Sequence, residues 1–115
     1  MKAAAMASRR EKIEEMLQER SDDPFLWYSL AMDCLSERGE VDLSRAVTAL
    51  ERTLSCDAGY VPAYLQLGML HSREDRPTEA ADVLRQGITT AKAAGDDHAI
   101  SEMQAVLDSL PDDDG

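Results

Sequence analysis

The sequence has little from which most protein chemistries are built. It carries one Trp, three Tyr and one Phe in 115 residues, so its core must rest on aliphatic side chains with a few aromatics at chosen points. Its two cysteines, Cys34 and Cys56, are too few for a disulfide scaffold. Both fall in or beside predicted helices and read as small buried hydrophobes. The two histidines, His71 and His98, come without an HExxH or CxxC pattern, so no metal set is expected. No GxxxxGK[ST] or GxGxxG occurs, which removes the usual phosphate cradles. The paired carboxylates, Glu14-Glu15 and Asp112 to Asp114, sit on exposed or terminal stretches. No catalytic residue and no cofactor is therefore expected, and the chain is not read as an enzyme.

Long apolar runs are also missing. Nothing approaches the ~20 residues that span a bilayer. The opening "MKAAAMASRREKIEEML" has an apolar patch only from Ala3 to Ala7, with Arg9 and Arg10 after it. A secretory signal places its basic residues before a longer apolar core. The cytoplasm is the expected compartment.

Basic charge is scarce as well. Lysine occurs only at Lys2, Lys12 and Lys92, and the net charge is −11. Binding to nucleic acid or to an anionic membrane needs a Lys/Arg surface, so neither is expected as a partner. Basic or apolar partners fit this balance. The preference for Asp over Glu and Arg over Lys fits a solvated acidic surface, a GC-rich genome or a high-salt cytoplasm.

What the chain does have is 43% hydrophobic residues, enough to exclude wholesale disorder, and an internal repeat. "WYSLAMDCL" (Trp27 to Leu35) aligns with "YLQLGMLHS" (Tyr64 to Ser72): Trp27 with Tyr64, Leu30 with Leu67, Ala31 with Gly68 and Cys34 with His71, each at an offset of 37. "AVTALERTL" (Ala46 to Leu54) aligns with "AADVLRQGI" (Ala80 to Ile88): Ala46 with Ala80, Leu50 with Leu84, Thr53 with Gly87 and Leu54 with Ile88, each at an offset of 34. The offsets differ because the turn "SERGEVDLSR" is three residues longer than "REDRPTE". An insertion in a turn is cheap, whereas one inside a helix rotates its apolar face.

The spacings are those of one helix face: i, i+3, i+4, i+7 for Trp27, Leu30, Ala31 and Cys34, and i, i+4, i+7, i+8 for Ala46, Leu50, Thr53 and Leu54. Two helices of ~14 residues joined by a short turn make an antiparallel hairpin. Small residues at Ala31, Gly68, Ala46 and Ala80 let the helices approach, and Trp27, Tyr64, Leu50 and Leu84 fill the space beside them. His71 sits at a packing position and reads as a satisfied core or half-buried histidine.

This order of large and small residues resembles the tetratricopeptide repeat, a helix–turn–helix unit of about 34 residues with W-x2-L-G-x2-Y, then Ala, then a large apolar residue, then often Pro. The second repeat follows that period from Val61 to about Ala94; the first, Pro24 to Tyr60, carries the insertion. The departures are Cys34 and His71 in place of Tyr, Thr53 or Gly87 at the late small position, and Ala58 and Lys92 in place of the closing Pro. The resemblance implies an all-α fold, a fragment of a right-handed α-solenoid with about six helices. Residues 1–22 form an N-terminal half-repeat, 23–60 the first hairpin, 61–94 the second, 95–110 a capping helix and 111–115 an acidic tail.

The flanks agree. Ile13, Met16 and Leu17 lie 37 residues before Leu50, Thr53 and Leu54. Arg9 stands where a small residue is expected, so that end is expected to fray. Asp23 reads as an N-cap with Pro24 in the first turn. Gly95 reads as a stop and Asp96 or Asp97 as the next N-cap. Ile100, Met103, Leu107 and Leu110 line one face of the last helix, as a capping helix requires.

A second stripe remains on the first helix of each hairpin. Phe25, Tyr28, Met32 and Leu35 follow i, i+3, i+7, i+10; their counterparts are Pro62, Leu65, Met69 and Ser72, with Arg73 beside them. A helix apolar on two faces is expected to be covered on both. Each large apolar side chain left in water forgoes roughly 1.5–3 kcal/mol of burial. In the resembled family this stripe lines the concave groove that binds partners. That implies a partner-binding site of Phe25, Tyr28, Met32, Leu35, Leu65, Met69, Ser72 and Arg73, holding an apolar or amphipathic peptide. Family members that clamp a C-terminal carboxylate use Lys and Asn there; Tyr28, Ser29, Met32, Leu65 and Met69 do not supply that clamp. The alternative is a structural homo-oligomer, a homodimer for example, or the N-terminal helix covering the stripe.

Overall fold

Capping chemistry sets the ends of the helices. In a computed structural model that describes residues 8–36 and 40–111, α1 runs Arg9–Glu19, α2 Pro24–Leu35, α3 Leu43–Cys56, α4 Val61–Arg73, α5 Pro77–Ala94 and α6 Asp97–Ser109. Among the described residues there are six helices and no strand. The acidic tail at Asp112 to Asp114, residues 1–7 and the 37–39 part of the longer turn lie outside the described residues.

The start of α1 does not fray. The Ser8 hydroxyl accepts from the Glu11 N–H, and the Glu11 side chain accepts from the Ser8 N–H, a reciprocal capping box that satisfies two otherwise orphaned donors. The S-x-x-E signature at Ser8 to Glu11 outweighs the large Arg9. Asp23 caps α2 by accepting from the Phe25 N–H at 3.0 Å, with Pro24 at the first position, where its missing N–H costs nothing. Asp42 caps α3 through the Arg45 N–H, and Asp96, rather than Asp97, caps α6 through the Ala99 N–H. Gly95 ends α5 with φ +71°, a left-handed conformation that costs glycine little.

The chain divides into two compact units, Met1–Asp57 and Ala58–Gly115. In the first, α2 packs along α3 and α1 packs on α2. In the second, α4 packs along α5, and α6 packs on α5 and, less extensively, on α4. The residues matched by the repeat are those each unit encloses. Leu30, Ala31, Cys34, Ala46, Leu50 and Thr53 are buried in the first unit; Tyr64, Leu67, Gly68, His71, Ala80, Leu84, Gly87 and Ile88 are buried in the second. Trp27 and Leu54 are half-buried.

Close approach is the reason for the small residues. A Cβ added to Gly68 would lie 2.5 Å from a methyl of Leu84, and one added to Gly87 would lie 2.5 Å from both the Tyr64 Cβ and the Met103 sulfur. Backbone and side chain are thus in contact where any larger residue would overlap its neighbour. Met103, fully buried, is the side chain by which α6 is held.

Candidate functional site

Each hairpin's first helix has one enclosed face. At ~100° per residue, Leu26, Leu30, Ala31 and Cys34 cluster on one side of α2, and Ala63, Tyr64, Leu67, Gly68 and His71 on one side of α4. Phe25, Tyr28, Met32 and Leu35 lie on the opposite side of α2; Pro62, Leu65, Met69 and Ser72 lie on the opposite side of α4, with Arg73 at its edge. Four of the eight predicted site residues therefore belong to the first unit and four to the second. Within the first, Phe25 is 62% exposed while Tyr28, Met32 and Leu35 are half-buried. Within the second, Met69 is 39% exposed, Leu65 is half-buried, and Ser72 and Arg73 are exposed.

The two stripes carry almost no charge. The one carboxylate on α2, which carries no Lys or Arg, is Asp33, and it is committed to the neighbouring helix. Arg10 of α1 donates Nε–H to the Asp33 carboxylate at 2.8 Å, and Nη2 donates to the Asp33 carbonyl at 3.2 Å and the Glu40 carbonyl at 2.7 Å. The bond to Asp33 favours the charged guanidinium and raises its pKa. Glu14 pairs with Arg45 of α3. Sequence reasoning missed this node, because nothing in the spacing of Arg10 and Asp33 marks them as partners.

The matched aromatics hold the entry to each hairpin in the same way. Trp27 Nε1 donates to the Ser21 carbonyl at 2.7 Å, and the Tyr64 hydroxyl donates to the Ala58 carbonyl at 2.6 Å, both six residues upstream. Tyr64 is 6% exposed. Trp27 is half-buried, with the Arg52 guanidinium 5.3 Å from its ring centroid. The repeat thus extends from packing to hydrogen bonding, and the readable signal was the constant interval between each aromatic and the turn before it.

Two expectations need correction. Cys34 is fully buried, and burial pushes its thiol up more strongly than nearby Arg10 pulls it down, but Cys56 is exposed. Cys56 lies at the last turn of α3, where its Sγ meets the Ser21 carbonyl at 3.8 Å and stays exposed. His71 is buried as expected but not satisfied: its Nδ1 is enclosed with no hydrogen-bond partner. The packing position sets the burial, while a partner for the ring nitrogen depends on what the opposing helix offers. Among the described residues no group of three or more His, Cys, Asp or Glu is placed to hold a metal, and no helix is long and apolar enough to cross a membrane.

No protein-family model and no curated protein matches the chain. Solved structures do. The crystal structure of a tetratricopeptide repeat domain protein from Salinibacter ruber is 36% identical, with a TM-score of 0.67 over 74% of this chain and 92% of that one. A solution structure of a tetratricopeptide repeat domain protein from the same organism is also 36% identical, with a TM-score of 0.66 over 75% of this chain and 84% of that one. A Bordetella parapertussis protein, 24% identical, shares the fold with a TM-score of 0.72 over 90% of this chain and 87% of that one.

Proposed function

The chain belongs to the tetratricopeptide repeat family, and from that premise we propose that it is a protein–protein interaction module, an adaptor or small chaperone-like protein, which receives an apolar or amphipathic peptide segment on the stripe of α2 in the first unit or, separately, on that of α4 in the second. The observation that supports this most is Phe25, the most exposed large apolar residue among those described, on a helix whose opposite side is fully enclosed. A single exposed apolar residue needs no explanation, but Phe25 is followed at helical spacing by Met32 and Leu35, and the same register on α4 exposes Met69. Methionine adapts to irregular apolar surfaces, which suits a site that accepts side chains of varied shape.

Phe25→Glu, Met32→Glu and Met69→Glu test the reading. Each places a charge on the stripe without touching the enclosed face, so far-ultraviolet circular dichroism and Tm are expected to stay near the parent values. Recovery of co-purifying proteins from the native lysate, compared by quantitative mass spectrometry, is expected to fall at least about tenfold, the loss that ~1.4 kcal/mol of binding energy produces. Undiminished recovery with all three variants removes the stripe from the function. A second reading, self-association through the same stripe, is decided by sedimentation of the parent chain at micromolar concentration.

A further inference from the structure

We infer that the occupant of the stripe is a cationic amphipathic helix, with an apolar face that meets Phe25, Met32 and Leu35 and lysine or arginine residues at its margins; this rests on the interaction-module reading above. The stripe itself cannot match charge, since the Asp33 carboxylate on α2 is already bonded to Arg10 and α4 carries no carboxylate. Carboxylates stand at the ends of the α2 stripe instead. Asp22 and Asp23 precede Phe25 with Pro24 between, and Asp22 is exposed. Glu40, also exposed, follows Leu35 after the end of α2. On α4 the exposed Glu74 and Asp75 lie between the exposed Arg73 and Arg76, so that end has no net charge and the acidic ends are those of α2. Arg20, 3.7 Å from Asp23, offsets part of the charge around α2. It does not reverse it, since Asp22, Asp23 and Glu40 outnumber it there.

An apolar strip with acidic ends selects a segment of the opposite pattern. Burial of the apolar faces supplies affinity, and the acidic ends attract cationic partners and repel acidic ones. The same balance disfavours a second copy of this chain, since each copy has the same acidic excess and a net charge of −11.

Three fluorescein-labelled helical peptides of equal length separate the contributions: one with a Leu/Met face and lysine margins, one with the same face and glutamate margins, and one with lysine margins and a Ser/Gln face. Anisotropy is read with the full chain at low and at physiological salt. The first peptide is expected to bind at least about tenfold more tightly than either of the others, and more weakly as salt screens the margins. Phe25→Glu is expected to weaken it, although the variant is more acidic. Equal binding of the glutamate peptide overturns the cationic partner and leaves the groove reading in place. Equal binding of the Ser/Gln peptide, or tighter binding by Phe25→Glu, shows charge attraction without the stripe and overturns the inference. No binding of any peptide overturns it as well. Dimerisation of the parent chain that Phe25→Glu abolishes makes a second copy the occupant and overturns the inference on its own.

Discussion

The first unit, Met1–Asp57, and the second, Ala58–Gly115, build similar hairpins by different means. Where the second puts Gly68 and Gly87, the first puts Ala31 and Thr53. Thr53 is fully buried, and its hydroxyl is satisfied by donating to the Ala49 carbonyl of its own helix at 2.9 Å, so the polar atom asks nothing of the neighbouring helix. The first unit adds charged bonds between helices: Arg10 to Asp33 and to the Glu40 carbonyl, Glu14 to Arg45, and Arg52 over Trp27. The close contacts between acidic and basic side chains found among the described residues of the second are local to one helix, the ion pair of Asp82 with Arg85 and the 3.5 Å contact of His98 with Glu102. In the first unit the bonds of Arg10 and Glu14 tie α1 to the α2–α3 pair, and of these contacts only Arg52 over Trp27 joins α2 and α3 themselves. In the second unit the glycines bring backbone against side chain, where dispersion contacts add up.

This contrast can be broken from either side. Arg10→Met keeps the apolar stem but leaves the half-buried Asp33 carboxylate without its donor. The loss is expected to be about 1.5–3 kcal/mol, read from urea unfolding, since both partners are mostly shielded from water. A loss below a few tenths of a kcal/mol means the first unit does not depend on its charged node. Gly87→Ala tests the second unit. Alanine gains ~1 kcal/mol of helix propensity, but its methyl meets the Tyr64 Cβ, which cannot swing aside, and overpacking costs ~1–3 kcal/mol. A net loss of up to about 2 kcal/mol is expected, and a stabilised variant would show the helices to be less closely packed. The smallest effect sharpens the contrast between turns. Asp75 holds φ +60° between α4 and α5, a conformation that Gly95 adopts freely after α5. Asp75→Gly is expected to gain under ~1 kcal/mol, the relief of left-handed strain less the added entropy of the unfolded chain, visible as a small rise in Tm.

Much of the fold was legible because helix packing leaves a periodic record. The matched pairs Leu30/Leu67, Ala31/Gly68 and Leu50/Leu84 are buried in both units, and Asp23 and Gly95 end helices where their chemistry says they should. The stripe residues were legible as a set on one helix face, for the same reason. The S-x-x-E signature of the capping box at Ser8 stands in the sequence too, but the expected fraying rests on the misfit of Arg9 alone. The Arg10–Asp33 pair was not, because two residues 23 apart in sequence meet only after two helices have packed, and opposite charges occur throughout the chain. The exposure of Cys56 and the unpartnered Nδ1 of His71 belong to the same class. Periodicity says which way a side chain points but not what stands opposite it.

The sequence by itself determined that this chain forms helical hairpins, where most of the helices begin and end, and which side of each is enclosed. Those properties follow from local capping chemistry and from the spacing of apolar residues along a single helix. Tertiary structure alone decided how closely the helices approach, which charges are spent holding them together, and which apolar side chains stay in water. Those depend on volumes and distances between segments far apart in the chain.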